Sequence, residues 1–98
     1  MSKYNKVKIL SFDWDEGNKY KNVKNHSVSN KECEELFFNK PIFFFNDIKH
    51  SKIEDRFLAL GKTNDGRLLT IVFTVRNEKL RVISARDMNK KERSSYER

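Results

Sequence analysis

The run Leu68-Leu69-Thr70-Ile71-Val72-Phe73-Thr74-Val75-Arg76-Asn77-Glu78-Lys79-Leu80-Arg81-Val82-Ile83-Ser84-Ala85 holds two β-strands and the turn between them. Leu68 to Val75 is dense in Ile, Val, Thr and Phe, side chains that fit a pleated, half-buried surface. Asn77-Glu78 turns the chain, and Leu80 to Ala85 brings it back. Immediately upstream, Arg56 to Leu60 reads as a strand. It leads through Gly61 into a turn at Asn64-Asp65-Gly66, so that Gly61 and Gly66 belong to a hairpin connection. Three strands on short connections make an antiparallel meander the economical topology. Further back, Pro41 introduces a fourth strand, Ile42 to Phe45, followed by a polar loop from Asn46 to Lys52.

Helices flank this meander. Ser29-Asn30-Lys31-Glu32 is a capping box, in which the Ser29 hydroxyl accepts from the Glu32 N–H while Glu32 reaches back. Val28 and Cys33 take the positions of a hydrophobic staple. Cys33, Leu36 and Phe37 then form one buried stripe at helical spacing, which makes Cys33 a small core residue. An earlier helix starts at Asp13 or Asp15 and runs through Lys19, Tyr20 and Val23 to about Asn25. Gly17 costs that helix roughly 1 kcal/mol relative to Ala. Val7 to Phe12 precedes it as the first strand. Asp87 caps a last helix from Met88 to about Glu97. The expected architecture is one α+β domain over residues 1–98. It has the order β-α-α-β-β-β-β-α, a mostly antiparallel sheet, two N-terminal helices and one C-terminal helix.

Composition narrows the class. The 98 residues carry 21 Lys+Arg against 14 Asp+Glu, a net charge of +7 that suits a polyanionic partner. The excess sits at both ends and in the late strands, while residues 27–53 are neutral. No apolar run approaches the roughly 18–20 residues of a membrane helix, and no secretory h-region follows Met1. The single cysteine excludes an intramolecular disulfide, and no Cys/His set has zinc spacing. A cytoplasmic protein without metal, cofactor or membrane contact is expected. Eight Phe, three Tyr and one Trp must supply much of the burial.

The residues with chemistry to offer lie late in the chain. Glu54 and Arg56 share a strand face at period two. Lys79 and Arg81 do the same, and Arg86 ends the last strand. Arginine binds phosphate with a planar fork and stabilises charge developing on phosphorus. A carboxylate or histidine beside it moves the 2′-OH proton. That set suffices for metal-independent RNA cleavage, in which the substrate supplies its own nucleophile. Asp13, Asp15 and Glu16 read as a solvated loop and helix cap. His26 falls at the end of the first helix, where the dipole favours an imidazolium by about 0.3–1 kcal/mol. His50 falls in the polar loop. On the thin apolar stripe of the last helix, Tyr96 is a candidate for stacking on a base.

Phe12-Asp13-Trp14-Asp15, Asn22, His26 and Val28 together resemble the N-terminal part of BrnT-type toxins. The resemblance continues through Glu54-Asp55-Arg56-Phe57, Gly61, Gly66-Arg67-Leu68-Leu69 and Arg81-Val82-Ile83-Ser84-Ala85-Arg86, and ends with Glu92-Arg93 and Tyr96. It covers nearly the whole chain in order. It implies a RelE-like ribonuclease toxin of a type II toxin–antitoxin system that cleaves RNA and blocks translation. It further implies a BrnA-like antitoxin, bound as a heterotetramer through which alone the toxin meets operator DNA. Arg81, Arg86, Glu54, His26 and Arg56 are the implied catalytic residues, with Arg81 and Arg86 on the scissile phosphate and Glu54 or His26 as proton acceptor. Lys24, Lys79, Lys90 and Tyr96 are the implied RNA contacts. Where the family often carries Lys-His-Gly, this chain has Asn25-His26-Ser27, so Ser27 must close the helix in a conformation that glycine adopts with least strain. A non-catalytic basic module, binding RNA or only an antitoxin, is the alternative.

Overall fold

The computed structural model describes residues 11–47 and 54–98. Eight elements follow the expected order: β1 (Ser11–Phe12), α1 (Lys21–His26), α2 (Asn30–Leu36), β2 (Phe43–Asn46), β3 (Phe57–Lys62), β4 (Leu68–Arg76), β5 (Lys79–Asp87) and α3 (Lys90–Glu97). Most of the first expected strand (Val7 to Leu10), most of the polar loop and His50 lie outside the described residues.

The strands form one sheet in the order β1-β5-β4-β3-β2. β2 through β5 are antiparallel neighbours, while β1 pairs parallel to β5 through Ser11–Lys79 and Phe12–Leu80. The sheet is therefore mixed. The β4–β5 turn places Asn77 at φ 51° and Glu78 at φ 63°, the two left-handed residues of a twist-compatible hairpin.

Side chains alternate across a strand, so the register assigns each residue to one face of the sheet. Ala59, Leu69, Ile71, Phe73, Leu80, Val82 and Ala85 form the first face. With Val28 and with Cys33 and Leu36 of α2 they make the main core. The capping box at Ser29 is present in full, and both Val28 and Cys33 are completely buried. Burial pushes the Cys33 thiol up to about 12, so it stays protonated. Gly61 is not in a turn, as expected from sequence, but inside β3. Leu36 lies directly over it: a Cβ at Gly61 would sit 2.7 Å from the Leu36 Cγ. Only glycine lets α2 approach the sheet this closely.

One irregularity sets the geometry of β5. Phe73 pairs with Val82 and Val72 with Ser84, so Ile83 is an extra residue, a β-bulge. Leu80 and Val82 before it and Ala85 after it all reach the first face. Arg81 and Arg86, five positions apart, both reach the second face. A regular strand would have placed them on opposite sides.

The first helix begins later than its sequence suggests. Residues 16–20 form turns, and the helix starts after Tyr20 with no side-chain cap from Asp13 or Asp15. The segment serves β5 instead. Asn18 Nδ2 donates to the carbonyls of Asp13 and Val82, Lys21 Nζ donates to that of Ile83, and Asn22 Oδ1 accepts from the Ala85 N–H. These side chains satisfy the edge of β5 where β1 no longer pairs with it. At the other end of α1, Ser27 takes the left-handed conformation, φ 57° and ψ 35°.

The last helix is capped by Asn89, not Asp87, and has its own capping box with Glu92. Asp87 is held by Arg67. Arg67 also bonds Glu32 and the carbonyls of His26 and Ser27, joining both N-terminal helices to the end of β5.

Candidate functional site

The second face of the sheet is read best as rows running across the strands. Phe43, Leu60, Thr70 and Arg86 form one row. The next is Phe45, Leu58, Val72 and Ser84. Thr74 and Arg81 follow, with Arg56 two positions beyond Leu58. Arg76 and Lys79 come last. Successive rows are about 7 Å apart.

The last helix covers the first of these rows and reaches Leu58 in the second. Leu60, Met88 and Tyr96 pack together with Leu58 and Leu68 against them. Glu92 binds Arg86 at 2.8 and 3.0 Å and accepts from Thr70 Oγ1 at 2.8 Å. These partners hold the Glu92 carboxyl down at about 2, the Arg86 guanidinium contributing most. The remaining rows are not beneath this helix, and charge collects there.

Arg81 is the centre of that charge. Its Nη1 and Nη2 each donate to one carboxylate oxygen of Asp15 at 3.0 Å, and Asp13 lies 3.5 Å from Nη1. The Arg81 side chain is 12% exposed while that of Asp15 is 57% exposed. Each partner reinforces the other's charge: the guanidinium holds Asp15 below the usual carboxylate range, and Asp15 raises Arg81. The two aspartates thus converge on one cation, where the sequence suggested a solvated loop and helix cap. Gly17 makes room for this. Its N–H donates to Asp15 Oδ1, and a Cβ there would lie 3.0 Å from Arg81 Nη2.

Beside this pair, Glu54 bridges two cations. Arg76 approaches it at 2.8 Å and Arg56 at 3.9 Å. Thr74, in the row of Arg81, donates its hydroxyl to the Asp55 carbonyl at 2.7 Å, which ties the segment carrying Glu54 and Arg56 to β4.

The expected residues therefore divide. Glu54, Arg56, Arg81 and Lys79 share the part of the second face beyond the last helix, where Thr74 and most of the Arg81 side chain are buried. Arg86 is on the same face but beneath the last helix, about four residues or 13 Å along β4 from the level of Arg81. His26 is elsewhere. Its carbonyl binds Arg67 at the start of β4, whereas Glu54 binds Arg76 at the end, so nine residues of strand, roughly 25–30 Å, separate them. Lys24 is exposed on α1 and Lys90 is exposed at the start of the last helix. Tyr96 is 8% exposed. Its ring meets Phe43 edge-on and its hydroxyl donates to the Pro41 carbonyl at 2.6 Å, so it is a core residue and presents no ring to a base.

Sequence reasoning missed Asp15, Gly17, Arg76 and Thr74. One signal was available: a glycine two residues after an aspartate, in a segment too weakly amphipathic for a helix, suits a turn in which the aspartate folds back on the backbone.

A family model described as "Ribonuclease toxin, BrnT, of type II toxin-antitoxin system" matches residues 14–92. The chain belongs to the BrnT family. No curated protein matches it in sequence. The match begins at Trp14 and ends at Glu92, so it takes in Asp15, Arg81, the Glu54 cluster and the anchor of the last helix. Membership makes the chain a ribonuclease toxin whose system includes an antitoxin. Among the described residues, no helix is long and apolar enough to cross a membrane.

Proposed function

We propose that this chain is a metal-independent endoribonuclease with a RelE-like arrangement that blocks translation by cleaving RNA at the charged rows of its second sheet face. The observation that carries this reading is the concentration of three arginines among three carboxylates there: Arg81, beside Thr74, with Asp13 and Asp15, and Glu54 between Arg56 and Arg76. The reaction requires a base, a cation and the substrate's own 2′-oxygen. Glu54 takes the 2′-OH proton. The 2′-oxygen forms a bond to phosphorus and the bond to the 5′-oxygen breaks, the departing oxygen taking a proton from water, which leaves a 2′,3′-cyclic phosphate and a 5′-hydroxyl. Arg81 holds the phosphate and stabilises its added charge, once Asp15 has yielded the fork. Arg56 and Arg76 orient Glu54. Lys79, Lys24 and Lys90 add attraction for the RNA backbone. The position of His26 favours Glu54 as the base, and Arg86 acts by seating the last helix.

A BrnA-like antitoxin neutralises the toxin in a cytoplasmic heterotetramer and carries the DNA contacts. A binding-only role has one observation in its favour, the engagement of both Arg81 terminal nitrogens by Asp15.

Incubation with total RNA in EDTA decides between these readings. The wild type cleaves it, Arg81→Ala does not, and Glu54→Gln binds RNA with little turnover. If folded wild type leaves RNA intact both alone and on translating ribosomes, the chain is a binder.

A further inference from the structure

The second face carries two exposed aromatic rings among its charges. Phe45 is 50% exposed and Phe43 42% exposed, although both are large apolar side chains on a β-strand. The register puts both on the second face, opposite Leu58 and Leu60. Phe43 leans on Tyr96. Phe45 lies one row closer to the charged cluster, diagonal to Arg56. The ladder runs on past it, with the Asp47 N–H donating to the Arg56 carbonyl at 2.8 Å. The other exposed rings differ in setting: Phe38 packs against Phe12, and Tyr20 sits at the start of α1 beneath Lys19.

We propose that Phe45 is a nucleobase-stacking site for single-stranded RNA, holding one base of the strand whose backbone the arginines of the same face bind. An exposed aromatic ring on a sheet face, with an arginine at its diagonal, is an arrangement that accepts an unpaired base. The ring takes the base face and the guanidiniums take phosphates of the same strand. Stacking tolerates any base, so Phe45 would position RNA without dictating its sequence. The inference rests on the proposed use of this face for RNA and assigns to Phe45 the role that the sequence suggested for Tyr96.

The test uses a fluorescent hexaribonucleotide, 2′-O-methylated so that it cannot be cleaved, and a set of the same oligonucleotide with one abasic position moved along it. Phe45→Ala should weaken binding roughly 5- to 150-fold. The factor should be the same at low and high salt, because a stack releases no counterions. Arg81→Ala should instead flatten the salt dependence. Phe45→Trp should retain affinity. With the oligonucleotide abasic at the stacked position, Phe45→Ala should cost nothing more, since base and ring are two ends of one interaction. Thermal melts check that each variant is folded.

If Phe45→Ala binds as tightly as wild type while Arg81→Ala weakens, the stacking site is overturned and the RNA face stands. The same holds if Phe45→Ala spares RNA but loses the antitoxin, which would make the ring a protein contact. If wild type binds no RNA, both readings fall.

Discussion

Asp15 grips Arg81 with both of its oxygens, closing the guanidinium fork at 3.0 Å on each side. The two residues are 66 positions apart in sequence. This is the geometry in which arginine binds phosphate, and the partner here is the more exposed of the two groups. A carboxylate occupies the place that the proposed mechanism gives to a phosphate.

Asp15→Asn should therefore assist the substrate. An ion pair with one exposed partner is weak, so its removal should lower KM by only about a few-fold. The turnover number should hold, because the bond to the substrate is made by Arg81. Steady-state cleavage of a short RNA by the two proteins measures this. A higher KM would show that Asp15 aligns Arg81 for the substrate.

Acid should loosen the last helix through Glu92. Its carboxyl is held at about 2, far below its ordinary value of 4.5, with Arg86 the principal cause. A depressed carboxylate contributes stability that is fully present above its unfolded pKa and is lost as pH falls through the folded value. The window is thus about pH 5 to pH 2, and the amount on the order of 3 kcal/mol. Urea titrations at stepped pH should show Glu92→Gln less stable than wild type at pH 7, with the gap narrowing across this window.

Arg67 should behave as a structural keystone. It binds Asp87 and Glu32 and two carbonyls at the end of α1. Asp87 carries a lowered pKa with Arg67 as the leading cause. Arg67→Ala should cost about 2–3 kcal/mol in chemical denaturation. Arg67→Lys should recover little of it, because an ammonium cannot reach four partners from one plane.

Ser27→Gly should stabilise the domain by about 1 kcal/mol, seen as a higher denaturation midpoint, because it removes a Cβ from a left-handed residue. The neighbouring Val28 is fully buried, so the backbone at Ser27 has no freedom to relax the strain otherwise.

The order of elements was legible because each carries its own local signal. The Ser29 capping box, the Cys33-Leu36-Phe37 stripe and the strand run from Leu68 need no tertiary context. The end of β5 was not legible in the same way. Asp87 and Asn89 are both good cap residues, and the choice falls to Asn89 because Arg67, distant in sequence, claims Asp87. The Glu92 three positions after Asn89 was the usable clue. Of the site, the arginines and Glu54 were legible as residue types, but their grouping was not. It depends on the bulge at Ile83, on the turn at Gly17 and on which rows the last helix covers. Tyr96 and Phe45 show the limit most plainly. Tyr96 lies in a polar helix and Phe45 in an apolar strand, yet the position of one short helix makes the first a core residue and leaves the second in solvent.

The bulge at Ile83 has a consequence for how β5 tolerates change. Deleting Ile83 would leave a regular strand in which Leu80, Val82 and Ala85 still face inward and Arg81 and Arg86 still face outward. Inside–outside patterning is therefore indifferent to this residue. What the deletion would take away is local twist and the backbone carbonyl that Lys21 grasps. Ile83 thus works as a spacer that shapes the curvature of the sheet and anchors α1. A chain shortened by this one residue would keep its inside–outside pattern while losing the Lys21 anchor and altering the angle at which Arg81 meets a bound strand.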